Sequence, residues 1–337
     1  MSLQSVKAWL ITDGKAGDEQ QCVGVLEAMD LAYTKIRVKP RWLYSIFMPY
    51  GPIDPKDDPD NPTSIIAQPF PDIAIASGRR AVAYLKKIKT ASNGQCFTVF
   101  LKNPRTGSNA ADFIWTPEHD SLRAYNVLTT LTSPHIITSS ALEQAAKSTR
   151  FDHIKSPRIA VLLGGDSSLY KFTNNDCRAL KGCLTYFAQS GAGLMVSPSR
   201  RTPSLLYEFI ESTVKKTDSF FWDQTGKNPL IEMLGSADHI IVTADSVNMV
   251  GEAVSTGKPV HIFYPSKRFK LLSFMKLKSN KIDYFLNRLT EIGAIKQLEK
   301  KLEAWSYEKL NSTPIIAAAI ETSYRAFISK TVGDNKP

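Results

Sequence analysis

The feature that most constrains this chain is an alternation of short apolar runs, small-residue loops and helical patterns that runs through the first half of the sequence and restarts in the second. Val6 to Ile11 is an apolar run suited to a buried parallel strand; Thr-Asp-Gly-Lys-Ala-Gly-Asp follows, then a helical pattern from Glu19 to Met29. Further strands are expected at Thr34 to Val38, at Asp72 to Ala76 leading through Ser77-Gly78-Arg79-Arg80 into a helix, and at Cys96 to Leu101. The pattern lapses between Ala146 and Pro157, which reads as a linker. It restarts with a strand at Arg158 to Leu163, a helix through Cys177 to Gln189, and a strand at Gly193 to Val196. Thr202-Pro203 then reads as an N-cap and first-turn proline. Strands at Ser219 to Trp222 and His239 to Thr243, a helix at Ser246 to Val254 closed by Gly257, and a last strand at Val260 to Tyr264 complete the second half.

Strands alternating with helices form a parallel sheet covered on both faces, so the fold class is α/β. The 337 residues exceed what one core of ~100–200 residues supports. The sequence therefore predicts two doubly wound, Rossmann-like domains, residues 1–150 and 151–330, with a flexible tail at 331–337. The amino terminus has no apolar stretch long enough for a signal peptide, and no run approaches the ~20 residues that cross a bilayer. The expectation is a cytoplasmic protein whose membrane contact, where it occurs, is peripheral. Cys22, Cys96, Cys177 and Cys183 lack metal-binding spacing and read as packed free thiols.

An excess of 42 Lys and Arg over 32 Asp and Glu, a net charge of +10, favours anionic partners. Nucleic acid is disfavoured, because the basic residues are spread along the chain without a recognisable module. Small anionic molecules and anionic membrane surfaces remain. Ser266 to Lys281 interleaves Lys and Arg with Phe269, Leu272, Phe274 and Met275, as in a helix lying on lipid. Trp42, Tyr44, Phe47, Met48 and Tyr50 form a second aromatic cluster suited to a membrane-proximal loop. Ordinary packing of aromatics and solvation of lysines is the simpler reading of both.

Candidate ligand groups follow the strands. Gly164-Gly165-Asp166-Ser167 comes directly after a buried strand, where glycines permit tight turns and hydroxyls bond phosphate oxygens. Asp13-Gly14-Lys15 with Asp18 occupies the equivalent place in the first half. Ser246 caps a helix whose first turn, including Asn248 and Met249, presents N–H groups and the positive end of the helix dipole to an anion. An unpaired Asp245 beside it would repel a diphosphate unless a cation or a sugar hydroxyl engaged it. Arg200 and Arg201, like Arg79 and Arg80, are either phosphate clamps or solvated basic turns. Asn228-Pro229 either presents backbone groups to a nucleobase or simply starts a helix. Asp13 and Asp18 are the candidate general bases. His119, His135, His153, His239 and His261 lack metal spacing, and the last two fall within strands.

The blocks Ile11-Thr-Asp-Gly-Lys-Ala-Gly-Asp-Glu-Gln-Gln, Pro71-Asp with Ser77-Gly-Arg-Arg, Gly164-Gly-Asp-Ser, Ser199-Arg-Arg-Thr-Pro and the segment from Ala237 to His261 together resemble the mitochondrial fission ELM family over nearly the whole chain. The resemblance implies a glycosyltransferase-B type fold, two Rossmann-like domains facing a cleft, with an acceptor side in the first and a nucleotide-sugar donor held mainly by the second. More remotely, Ala244 to Pro265 is similar to the donor-binding segment of the peptidoglycan glycosyltransferase that adds N-acetylglucosamine to a lipid-linked precursor. There a glutamate on the helix holds the ribose, and the matching position is Glu252; the chain departs from that pattern by carrying Asp245-Ser246 where glycines are usual. The implied activity is a glycosyltransferase using a nucleotide-diphosphate sugar without metal or other cofactor, on a lipid-linked or membrane-surface acceptor. The alternatives are a non-catalytic adaptor that recruits a protein partner, as plant members of the family do, and a nucleotide-sugar epimerase.

Overall fold

The computed structural model describes residues 5–268 and 280–334. These form two compact units, one of residues 5–136 with 311–334, the other of residues 137–268 with 280–310. The first unit is built on β1 (Ala8–Thr12), β2 (Tyr33–Arg37), β3 (Ile73–Ser77), β4 (Phe97–Leu101), β5 (Phe113–Pro117) and β6 (Val127–Thr130), all parallel, in the order β2-β1-β3-β4-β5-β6. The β3, β4 and β5 segments are buried along their whole length, which is why β3 and β4 read as apolar runs rather than alternating ones. Helix α1 (Ala16–Ala28) buries Cys22, Val25 and Leu26 against one face of the sheet; α3 (Ala81–Ala91) buries Val82, Leu85 and Ile88 against the other. The short α2 (Trp42–Phe47) lies between β2 and β3.

The second unit begins with α4 (Ser139–Ala146) and is built on β7 (Arg158–Leu163), β9 (Gly193–Pro198), β10 (Phe220–Phe221), β11 (His239–Thr243), β12 (Val260–Phe263) and β14 (Ile295–Gln297). The order is β10-β9-β7-β11-β12-β14, again all parallel. A two-stranded antiparallel pair, β8 (Tyr170–Lys171) with β13 (Ser266–Lys267), stands beside it. Helices α5 (Asn174–Gln189), α6 (Ser204–Val214), α7 (Leu230–Ser236), α8 (Val247–Val254) and α9 (Asn280–Glu291) make the connections. Thr173 starts α5 with a reciprocal cap: its hydroxyl accepts from the Asp176 backbone N–H, and the Asp176 carboxylate accepts from the Thr173 backbone N–H.

Two parts of the sequence division change. The terminal helix α10 (Thr313–Asp334) belongs to the first unit: Ile316, Ala317, Ile320 and Tyr324 join the core under α1, and the Phe97 ring meets Tyr324 and Phe327 at 5.7 and 5.3 Å. Its start is stitched to the same unit, since the Thr313 hydroxyl donates to the His135 carbonyl at 3.0 Å. The helix runs through Asp334, where a tail from 331 was expected. The stretch read as a linker is packed structure, because Phe151 is fully buried edge-on to Phe220 with Arg150 over both rings.

Candidate functional site

In each sheet the connections leave in opposite directions from one central pair of strands. That pair is β1 and β3 in the first unit and β7 and β11 in the second. Open α/β sheets bind ligands outside the carboxyl ends of the strands at this point, where departing loops leave a crevice. The glycine and aspartate loops picked out in the sequence stand at these two positions.

In the second unit, Asp245 follows β11 and its carboxylate is buried. It accepts from the Gly165 N–H at 3.0 Å, from the Thr243 hydroxyl at 2.7 Å and from Arg201 Nη2 at 2.9 Å. Thr243 Oγ1 in turn accepts from the Gly164 N–H at 2.7 Å. Glycine is required twice here: a Cβ on Gly164 would strike the Asp245 carboxylate, and one on Gly165 would strike the Arg201 carbonyl. Asp245 is therefore not an unpaired charge waiting for a cation or a sugar hydroxyl. It is neutralised by Arg201 and organises the Gly164-Gly165 turn.

Thr202 does not cap the next helix as its sequence suggested. Pro203 takes the cap position without a side-chain bond, while the Thr202 hydroxyl donates to the Gly164 carbonyl at 2.7 Å. Asp166 and Ser167 are also committed: Asp166 accepts from the Phe172 N–H at 3.0 Å and pairs with Arg268 at 3.0 Å, and Ser167 Oγ accepts from the Tyr170 N–H at 3.0 Å. Arg200 remains exposed, with no acidic partner among the described residues.

Ser246 caps α8 by accepting from the Met249 N–H at 3.5 Å. Glu252 lies four residues after Asn248 and three after Met249, so these side chains share one face of the helix. Glu252 is half-buried with no donor to its carboxyl among the described residues, and burial pushes that carboxyl from 4.5 up to about 7. A carboxyl so placed can accept from a pair of hydroxyls at little further desolvation cost.

The first unit has a looser counterpart. Asp13 follows β1 and lies against Gly78, where an added Cβ would come within 2.7 Å of its carboxyl carbon; Gly78 has φ +102°, open to glycine without strain. Asp13 Oδ1 is buried and has no hydrogen-bond partner among the described residues. Gly14 has φ +87° and Lys15 beside it is exposed. Asp18, the second candidate base, forms an ion pair with Lys102 and is engaged before any ligand arrives. Of the two carboxylates, Asp13 carries the unused acceptor.

Arg79 is not a clamp, because its guanidinium donates to the Met48 and Ser45 carbonyls at 2.5 and 3.0 Å; Arg80 has no partner among the described residues. Asn228 Oδ1 accepts from the Leu230 N–H at 3.0 Å, an ordinary helix start. Of the basic stretch at 266–281, Lys267 pairs with Asp283 at 2.9 Å, and residues 269–279 lie outside the described residues. His239 and His261 are neighbours on β11 and β12 with their rings tilted at 44° and ring nitrogens 3.4 Å apart, and burial lowers His261 to about 4. No group of three or more metal-binding side chains occurs among the described residues. Thr243 and Lys102 went unnoticed in the sequence, and Thr202 was read only as a helix cap, because the partners Gly164 and Asp18 lie far away in the chain.

A family model described as mitochondrial fission ELM1 matches residues 16–324. An uncharacterized protein of Rickettsia prowazekii is 27% identical over 93% of this chain and 97% of its own length. The mitochondrial fission protein ELM1 of Arabidopsis thaliana is 25% identical over 76% of this chain, which spans 64% of that protein. Among solved structures, a UDP-N-acetylglucosamine 2-epimerase of Listeria monocytogenes superposes with TM-score 0.56 at 11% identity, covering 95% of this chain and 97% of that one. The Neisseria meningitidis UDP-GlcNAc 2-epimerase bound to UDP-GlcNAc gives 0.52 at 12% identity, with 96% and 91% covered. At these identities the likeness is one of fold.

Proposed function

The chain belongs to the mitochondrial fission ELM1 family, and we propose that its second unit binds a nucleotide-diphosphate sugar whose sugar the protein transfers without metal. The observation that carries this reading is Glu252, a half-buried carboxyl without a donor, on the helix that starts at the sheet's switch point. In this reading Glu252 accepts from the ribose hydroxyls, and the N–H groups at the start of α8 face the diphosphate. Arg200 supplies the mobile positive charge that a leaving diphosphate requires. Asp245, already neutralised by Arg201, holds the Gly164-Gly165 turn out of the way instead of repelling the phosphates. In the first unit, the unused oxygen of Asp13 is suited to take the proton of an acceptor hydroxyl.

Calorimetric titration with UDP-GlcNAc, the ligand named for the Neisseria structure, tests the donor site. Binding should weaken at least tenfold in both Glu252→Gln and Arg200→Ala; equal affinity in both variants would remove the site. Conversion of the bound donor in the absence of any acceptor would replace transfer by epimerization. The alternative, an adaptor that recruits a protein partner, has one observation in its favour, the exposed apolar helix α2, and predicts no nucleotide binding at all.

A further inference from the structure

We infer that helix α2 of the first unit is a docking edge for an anionic lipid surface. Trp42, Leu43, Ile46, Phe47 and Tyr50 are all exposed, from 53% for Leu43 to 75% for Tyr50. Single exposed apolar residues are common, but a contiguous set of large ones marks a contact surface. Only Ser45 of the helix is buried, with Met48 just after it, so of the cluster noted in the sequence Trp42, Phe47 and Tyr50 turn outward, Tyr44 is half-buried and Met48 packs inward.

The exposure is a held geometry. At the start of α2, the Arg41 backbone N–H and guanidinium grip the buried Asp54 carboxylate at 2.8 and 2.7 Å, a fork that holds Asp54 well below the usual carboxylate range. At its end, Arg79 donates to the Ser45 and Met48 carbonyls. The Tyr50 hydroxyl donates to the Arg105 carbonyl at 3.0 Å. Two arginines and a buried aspartate thus fix a helix of six residues with its apolar side in solvent.

The surroundings identify the occupant. Lys39, Lys86 and Arg105 have no acidic partner among the described residues. Lys86 lines a recess of about 330 Å³ beside Tyr50, together with Pro49 and Ile53. Trp, Tyr and Phe at the tip with cations at the rim match the boundary between acyl chains and anionic headgroups. The net charge of +10 adds long-range attraction to the same surface. Side chains that protrude by more than half suit a soft, deformable medium better than a preformed protein pocket, where anchors sit in concave, packed sites. The inference does not depend on nucleotide binding.

The test floats the full-length protein with vesicles of phosphatidylcholine alone and with vesicles in which phosphatidylglycerol replaces part of it. Binding to the anionic vesicles should be roughly tenfold stronger or more, and salt should weaken it. Ile46→Glu with Phe47→Glu should abolish binding without lowering the melting temperature, and Lys39→Glu with Lys86→Glu should abolish the anionic preference. Lipid carrying bromine in its acyl chains should quench tryptophan fluorescence, and Trp42→Phe, a change that conserves shape, should remove part of that quenching. The inference falls if neither vesicle binds, if the variants bind as the parent does, or if quenching is undiminished in Trp42→Phe. It also falls if the Ile46 and Phe47 changes dissolve a dimer instead, which would assign the face to a second copy of the chain.

Discussion

Replacing Glu252 by glutamine should stabilise the protein at about pH 8 while weakening nucleotide-sugar binding, a combination that few substitutions would produce. Burial raises the Glu252 carboxyl from 4.5 to about 7, so the folded protein keeps a proton that the unfolded chain releases. The resulting stabilisation is complete below pH 4.5 and is lost as the pH rises through 7. At ~1.36 kcal/mol for each unit, the shift corresponds to roughly 3 kcal/mol, reduced to about 2 kcal/mol because water reaches a half-buried group. Glutamine keeps the shape and carries no charge, so it escapes the loss. For a unit of this size ~2 kcal/mol is a melting shift of ~4–8 °C. Scanning calorimetry of the parent and Glu252→Gln at pH 4.5, 6 and about 8 should show the gap smallest at pH 4.5, well developed at pH 6 and complete at about pH 8. A gap independent of pH, or a glutamine variant less stable at about pH 8, would mean that the carboxylate is served by a cation and is not held in reserve for a ligand.

Three further outcomes follow from the same geometry. Arg201→Ala strips the buried Asp245 of its ion partner and should cost about 2 kcal/mol, below the ~3–5 kcal/mol of a fully buried pair because the Arg201 side chain is 46% exposed. Adding Asp245→Asn should recover part of that loss in chemical unfolding, and strictly additive losses would show that the two groups are not coupled. His261 is held neutral by burial, with its proton affinity lowered from 6.5 to about 4, so stability should fall as the pH drops from 6.5 toward 4. His261→Gln should flatten that acid limb in a fluorescence-monitored titration; an unchanged limb would exclude His261 as its cause. Gly182→Ala should stabilise α5 by ~0.8–1 kcal/mol in thermal unfolding, since nothing lies within 4 Å of the added methyl; a loss of stability would show a close neighbour there.

The strands buried on both faces were the legible part of the fold. Arg158–Leu163 and His239–Thr243 fall where their apolar runs begin and end, because a central parallel strand needs no polar face. Of the strands that escaped notice, Val127–Thr130 lies at the sheet edge and Ile295–Gln297 has one buried residue, while Phe113–Pro117 is buried throughout but ends in proline. Placing α10 in the first unit needs contacts with Phe97 and His135, which lie far away in sequence and leave no local periodicity to read. The same limit applies to the candidate site. Glycines and carboxylates at strand ends announced their positions. Whether Asp245 would meet a ligand or a protein cation depended on Arg201, 44 residues upstream.

The most direct test of the account is the melting temperature of the folded protein against uridine, guanosine, adenosine and thymidine diphosphates and their sugar conjugates. A ligand at about 100 times its dissociation constant should add ~2.7 kcal/mol to stability. The account predicts such a shift with one base, reduced in Arg200→Ala and Glu252→Gln; no shift with any of the ligands would contradict it and favour the adaptor reading.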